Sequence, residues 1–584
     1  MTDEVAGGLE EPEELQPEQG ALRLAAPEDD ATRADWEKAA AAVLRKGGRL
    51  TDDDSDDAVW AALTRTTYDG IPVPPLGTPD LLDDLVTSGR PTRTGDWDIR
   101  VPLHEPDGTA LPDLENGATS LWLVSGRLAD QLEGVMLDLA PVVLENGTPS
   151  TARRLLEIAA ERGIRLHPDS NLGADPLGTR VRGDSHSGSD EGMVEIARLA
   201  LEHGVRGVVV DATSAHDLGA SDAQEVGYSL AAGATYLRML TAAGMTVDEA
   251  AGLLEFRYAA TDEQFPTIAK LRAARRCWAR LLGLSGASGE QRQHAVTSRA
   301  MLSAYDPWVN MLRGTVAAFA AGVGGAEAVT VVPFDSPLGE PDAFGRRIAR
   351  NVSSLLLAES HVGAVTDPAG GAYAVEKLTD DLATAAWAEL QRIEGVGGIG
   401  AALEDGSFLG RVEGVAATRA RDVATRAKPI TGLSEFPHLG ETLPERVGRP
   451  DQVRRWGAAF EALRADPPAQ HVFLATLGPV AQHTARASFA ANLLAAGGIP
   501  VDVAGATEGV EDVVTAYQGQ RVVCLAGSDT AYDAWGRDAA EALRGAGATR
   551  VIVVVTDAPA WADDSCAAGV DAVEFLTRTR EALR

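Results

Sequence analysis

An imidazole that follows an apolar strand and precedes a helix stands where a parallel sheet presents its ligands, and it can coordinate a metal or carry a proton. His483 fits that description. Val472–Leu477 is an apolar run of strand length, Gly478 and Pro479 make a turn, and an alanine-rich helical pattern then runs to Gly497 and Gly498. Spacing alone places His483 in the loop Gly478–Ala485 as a solvated histidine beside a helix N-terminus. Other reactive groups are sparse. Cys277, Cys524 and Cys566 are far apart and form neither a metal knuckle nor a disulfide framework, which fits a reducing compartment. The carboxylates of Asp52, Asp53 and Asp54 are consecutive, so on a helix they point in different directions; Thr51-Asp52-Asp53-Asp54 reads as an acidic helix start rather than a metal site. There is no Walker loop, no G-x-G-x-x-G opening a helix after a strand, no H-E-x-x-H and no G-x-S-x-G. Gly322-Val323-Gly324-Gly325 lies between a helix and a strand and lacks the phosphate-binding Lys, so it reads as a turn. No metal site is expected.

The elements that must position these groups follow from the hydrophobic pattern. After Val472–Leu477, Arg521–Ala526 reads as a strand, Tyr532–Arg544 as a helix and Val551–Thr556 as a strand. A short helix near Trp561–Ala568 and the apolar segment Ala572–Leu576 complete the alternation. Such alternation implies right-handed crossovers and a flavodoxin-like, doubly wound parallel sheet over 471–584. Upstream, candidate strands are Ser120–Val124, Gly134–Asp138, Ile164–Leu166, Gly207–Asp211 and Ala328–Phe334. Helices such as Ser150–Glu161, Gly192–His203 and Ala223–Ala243 separate them. Repeated βα units over 67–400 fit a (β/α)8 TIM barrel. Residues 401–470, with helical runs Arg411–Lys428 and Gln452–Arg464 and a stiff Asp466-Pro467-Pro468 end, read as a linker. The acidic tail Met1–Asp30 has the composition of a segment that does not fold alone, and Ala31–Arg45 reads as a helix with Trp36, Ala39, Ala40, Val43 and Leu44 on one stripe. Together 1–66 form a tail and a helical arm.

The net charge of −34 repels phosphate backbones and anionic membranes, so no nucleic-acid or membrane partner is expected. No apolar run reaches about 18 residues, and the acidic N-terminus is not a secretory signal, which together point to the cytoplasm.

Residues Ala481-Gln482-His483-Thr484-Ala485-Arg486 resemble the D-x-H-x-x-G motif of the cobalamin-binding domain of methylmalonyl-CoA mutases, with only the histidine kept. In that family the resemblance implies a cobalt ligand at His483. Ala481 cannot accept the hydrogen bond that fixes the other ring nitrogen, and Arg486 puts a long cation where glycine lets the backbone approach the cofactor. The S-x-L turn is displaced in Cys524-Leu525-Ala526-Gly527-Ser528, and the Gly-Gly pair is Thr556-Asp557. Further matches run through the chain: Tyr68–Leu76, Trp97-Asp98-Ile99-Arg100-Val101-Pro102 for W-x-I-R-Q-Y, Lys270–Arg275, Arg347–Asn351, Asp367–Tyr373 and Val396-Gly397-Gly398.

The resemblance implies adenosylcobalamin-dependent isomerisation of succinyl-CoA and (R)-methylmalonyl-CoA, with a tyrosine and a histidine beside the thioester. Those positions match Pro102 and Ser214 here, so no catalytic residue is expected in this chain. His216 would share a face with Ser214 if the strand after Val208 ran that far. Arg100 matches a family arginine. The pattern is that of the non-catalytic subunits of heterodimeric family members, in which a large catalytic partner holds the adenosylcobalamin and the acyl-CoA while this chain holds no cofactor. Two alternatives stay open: an autonomous mutase with His483 on cobalt and His216 polarising the carbonyl, and a non-reacting acyl-CoA-binding or regulatory protein.

Overall fold

The computed structural model describes residues 31–104, 108, 110–183, 188–448 and 453–584. The tail Met1–Asp30 lies outside them. The chain divides into two compact units, the first holding 31–66 together with Pro72–Leu76 and the second Thr67–Ile71 with Gly77–Arg584.

In the first unit, α1 (Arg33–Lys46) opens on a capping box, Thr32 accepting from the Asp35 amide. Ala41 and Leu44 are buried against Val59, whereas Val43, expected on the same stripe, points to solvent. The helix start expected at Thr51 is instead a turn. Asp54 accepts from the Thr51 amide at 2.7 Å, and the chain enters a 3-10 turn at Asp56–Ala58 and a short helix at Val59–Leu63.

The second unit holds a closed barrel of eight parallel strands: β1 (Asp98–Leu103), β2 (Ser120–Leu123), β3 (Val142–Leu144), β4 (Asn171–Ala174), β5 (Arg206–Asp211), β6 (Leu254–Ala260), β7 (Gln293–Thr297) and β8 (Ala328–Thr330). Each pairs with the next in the sequence and β8 returns to β1, the (β/α)8 arrangement expected. The longer helices are α2 (Pro149–Glu161), α3 (Asp190–His203), α4 (Asp222–Ala242), α5 (Gln264–Leu284), α6 (Val309–Val323), α7 (Ala343–Ser354) and α8 (Tyr373–Gly395). Two expected strands are not strands. Gly134–Asp138 is a turn, with Gly134 at φ +76°, that leads into β3. Ile164–Leu166 is an extended connection, and the strand it should have been is β4, whose Asn171 donates to Val208 O and so carries no apolar signature. The run from Ala328 stops pairing at Thr330, ahead of Pro333, which has no N–H to give.

After α9 (Ser407–Ala424) and α10 (Ala458–Arg464) comes a five-stranded parallel sheet: β9 (Val472–Leu477), β10 (Val501–Val503), β11 (Val522–Gly527), β12 (Arg550–Val553) and β13 (Asp564–Ser565) in the order β10-β9-β11-β12-β13. That is the flavodoxin-like order, and its direction reverses between β9 and β11. Helices α11 (Val480–Ala496), α12 (Arg537–Gly545) and α13 (Ala572–Leu583) cover the sheet, whose two faces carry separate apolar clusters. The short helix expected near Trp561 is absent: Asp564 and Ser565 instead form the edge strand, Asp564 bonding Arg550 and Arg578. The apolar segment from Ala572 is the buried face of α13. Among the described residues no helix is long and apolar enough to cross a membrane.

Candidate functional site

Arg100 on β1 reaches across the barrel to Glu255 on β6, Nη1 donating at 2.6 Å, with both side chains fully buried. These strands are not neighbours in the sheet, so the bond crosses the barrel interior. One step further along β6, Arg257 donates to Glu145, just past β3, at 2.6 Å and to Asp211 on β5 at 3.1 Å. Its guanidinium carbon lies 4.2 Å from the centre of the Trp122 ring on β2, and its Nε points at His294 on β7. The axis is therefore filled by charged and aromatic side chains from five strands.

Electrostatics in this core follow from the pairing. Burial raises the pKa of Asp211, but Arg257 and Arg182 outweigh it and hold the carboxyl at about 2. Burial likewise works against ionisation of Glu255, and Arg100 and Arg292 more than compensate. The opposite holds for Asp175, where burial dominates over Arg182 and pushes the carboxyl to about 7. Tyr236 donates to its Oδ1 at 2.5 Å, and Oδ2 has no hydrogen-bond partner.

Above this plug, at the carboxyl ends of the strands, is a cavity of about 280 Å³. Pro102, Trp122, Val124 and Val296 give it apolar walls, while Arg100 and Arg182 supply charge. Pro102, at the family tyrosine position, lines it without a hydroxyl.

Ser214 and His216 are not among the residues lining that cavity. The strand expected to carry them ends at Asp211, whose carboxylate accepts from the Thr213 amide and turns the chain into a short helix, Thr213–Asp217. Ser214 donates to Asp211 O at 2.7 Å. His216 is buried, with Nε2 2.7 Å from Ser298 Oγ and Nδ1 3.7 Å from Glu225. Burial, with Lys270, Arg419 and Arg299 nearby, holds its pKa well below the usual range, so the ring is neutral. Sequence reasoning missed Glu225, which is held at about 7 chiefly by burial despite the Lys270 ammonium 2.7 Å away. An acid on an otherwise apolar helix face was the signal available.

In the sheet domain, His483 sits in the first turn of α11 rather than in a loop, because the helix begins at Val480, directly after Pro479. The solvated histidine expected is instead buried, 7% exposed, and neither ring nitrogen has a hydrogen-bond partner. Burial lowers its pKa. Ala481 offers the ring no acceptor. Arg486, one turn on, donates at 2.6 Å to Gly527 O at the end of β11 and at 2.6 Å to Asp529, with its guanidinium 5.2 Å from the centre of the Tyr532 ring. It thus ties α11, which follows β9, to the end of β11, across the point where the strand order reverses. No group of three His, Cys, Asp or Glu among the described residues is placed to hold a metal ion.

Comparison with known proteins gives this geometry its context. A family model described as methylmalonyl-CoA mutase matches residues 193–497. A methylmalonyl-CoA mutase small subunit from Streptomyces virginiae is 45% identical over 96% of this chain and 98% of its own length. A probable methylmalonyl-CoA mutase small subunit from Mycobacterium tuberculosis is 38% identical over 93% of this chain and 96% of its own. A methylmalonyl-CoA mutase small subunit from Propionibacterium freudenreichii subsp. shermanii is 34% identical, with 96% of each chain covered. With a barrel, a flavodoxin-like sheet and similarity to small subunits over nearly its whole length, this chain belongs to the methylmalonyl-CoA mutase family.

Proposed function

We propose that this chain is the non-catalytic subunit of an adenosylcobalamin-dependent methylmalonyl-CoA mutase heterodimer, supporting a large subunit that interconverts succinyl-CoA and (R)-methylmalonyl-CoA. The observation that carries this reading is the filled barrel axis. Arg100–Glu255 and Arg257 with Glu145, Asp211 and Trp122 occupy the space along which a hollow barrel would admit an extended ligand. The mouth also lacks the hydroxyl and imidazole that the family sets beside its thioester, since Pro102 stands at the tyrosine position and His216, bonded to Ser298, does not line the cavity.

The sheet domain supports the same reading, because its residues do not fit cobalamin. A metal-ligating imidazole is held by a partner on its second nitrogen, and His483 has none. Arg486 spans the crevice at the strand reversal where a doubly wound sheet takes its ligand.

The test is co-expression with the large subunit from the same genome, then separation of the subunits and a visible spectrum and cobalt analysis of each. Cobalt with the partner alone, and one-to-one co-purification, is the expected result. Cobalamin retained on the isolated chain would overturn it and favour an autonomous mutase. The cavity above the plug favours one second reading, a barrel that binds an acyl-CoA without reacting it; calorimetry of the isolated chain with CoA thioesters separates the two.

A further inference from the structure

Helices α6 and α7 pack side by side on the outside of the barrel, and neither contains an Asp or Glu, in a chain that holds 86 among 584 residues. On α6 the one ionisable residue, Arg313, is turned inward to Asn310 and Thr431 O. Its outer face shows Leu312, 68% exposed, one turn from Trp308, 49% exposed. Phe344 on α7, 41% exposed, completes the surface: its ring and that of Trp308 both pack on the buried Phe334, at 6.0 and 5.2 Å between centres. Beside them Arg347 is exposed, its guanidinium 5.5 Å from the Phe344 ring. Helix α5 also lacks Asp and Glu, but α2 and α3 differ. The outer faces of α2 and α3 are laced by Arg153–Glu195 and Arg154–Glu161 ion pairs, as expected of a helix whose far side meets water. A contiguous aromatic and aliphatic face with one cation marks an interaction surface.

We propose that the Trp308–Leu312–Phe344 face of α6 and α7 is the docking surface for the large mutase subunit, which meets it with apolar side chains and a carboxylate opposite Arg347. This rests on the heterodimer reading above. Charge favours that occupant over a second copy of this chain. An isologous pair would set Arg347 near its own symmetry mate and bring together two chains of −34 each. A partner that sets a carboxylate opposite Arg347 meets no such cation–cation repulsion.

The experiment is pull-down and equilibrium titration of full-length variants against the large subunit, with far-UV circular dichroism and melting temperature as the check on folding. Leu312→Asp is expected to weaken the heterodimer by about 30-fold or more, as burying a charge at an interface centre does. Arg347→Glu, an exposed change that leaves packing intact, is expected to weaken it and to slow association at low salt. Met136→Asp, exposed four strands away around the barrel, serves as control and should bind as wild type. Wild-type affinity in both folded Leu312→Asp and Arg347→Glu would overturn the surface assignment while leaving the heterodimer intact. A wild-type chain that fails to pair with the large subunit would overturn the heterodimer reading itself. A homodimer broken by Leu312→Asp would replace the occupant with a second copy and overturn the proposal as stated.

Discussion

Glu255→Leu removes the acceptor at the centre of the barrel plug. At 2.6 Å and an effective dielectric of about 20, the Arg100–Glu255 attraction is about 6 kcal/mol. Leucine leaves Arg100 fully buried with only Ser120 Oγ, 3.2 Å from its Nε, as a neutral acceptor, and its Nη2 is already without a partner. Breaking a buried pair from one side costs about 3–5 kcal/mol, because the surviving charge stays desolvated. With a urea slope of about 3 kcal/mol/M for a chain of this size, the unfolding midpoint should fall by about 1 M or more. Urea titration followed by circular dichroism at 222 nm measures it. Arg100→Met combined with Glu255→Leu should recover most of the loss, since a packed apolar pair needs no counter-charge. The pair also has a pH signature. Glu255 is held below its ordinary value, so its contribution is complete above the unfolded glutamate pKa and is lost as pH falls through the folded one. A midpoint shift under about 0.3 M, or a double variant no better than Glu255→Leu, would refute the view that this ion pair holds the barrel shut.

His483→Leu should raise the melting temperature by a few degrees, because two buried nitrogens without partners are replaced by a packed alkyl group; a fall would mean that the ring has a partner in solution. Since burial lowers the His483 pKa, wild-type stability should drop as pH falls below the unfolded histidine value near 6.5, and this variant should lose less there. Asp175 is raised to about 7, so the folded chain keeps a proton that the unfolded chain has released, and wild-type stability should decline from about pH 4 to 7. Asp175→Asn should therefore gain on wild type as pH rises through that window; parallel melting curves would count against it. Arg486→Ala should cost about 1 kcal/mol or less, its side chain being about a third exposed, and should leave heterodimer activity unchanged in steady-state assays.

The alternation of strand and helix was legible wherever strands are apolar on both faces, as in β5, β9 and β11. It failed where the barrel interior is polar. β4 is led by Asn171, β6 carries Glu255 and Arg257, and β7 carries Gln293 and His294, so periodicity gave no strand signal there. Glu255, Arg257 and His294 also belong to the plug, so the feature on which the proposed function rests was hidden by the reason the strands were hidden. The burial of His483 was illegible because it depends on where α11 starts. The loss of acceptor at Ala481 and the intrusion of Arg486 were readable directly, since they are matters of residue type. His216 was misplaced because one carboxylate, Asp211, bends the chain into a helical turn, a local competition that pattern reading does not resolve.

The cross-barrel contacts also bear on movement. Spreading β1 from β6 would part Arg100 from Glu255, and spreading β2 from β6 would lift Trp122 off Arg257, so any widening of the cylinder must first separate buried opposite charges. A hollow barrel can breathe around what it holds. This one is bolted through its middle, and its cylinder keeps one width because every outward movement of a strand works against a buried bond.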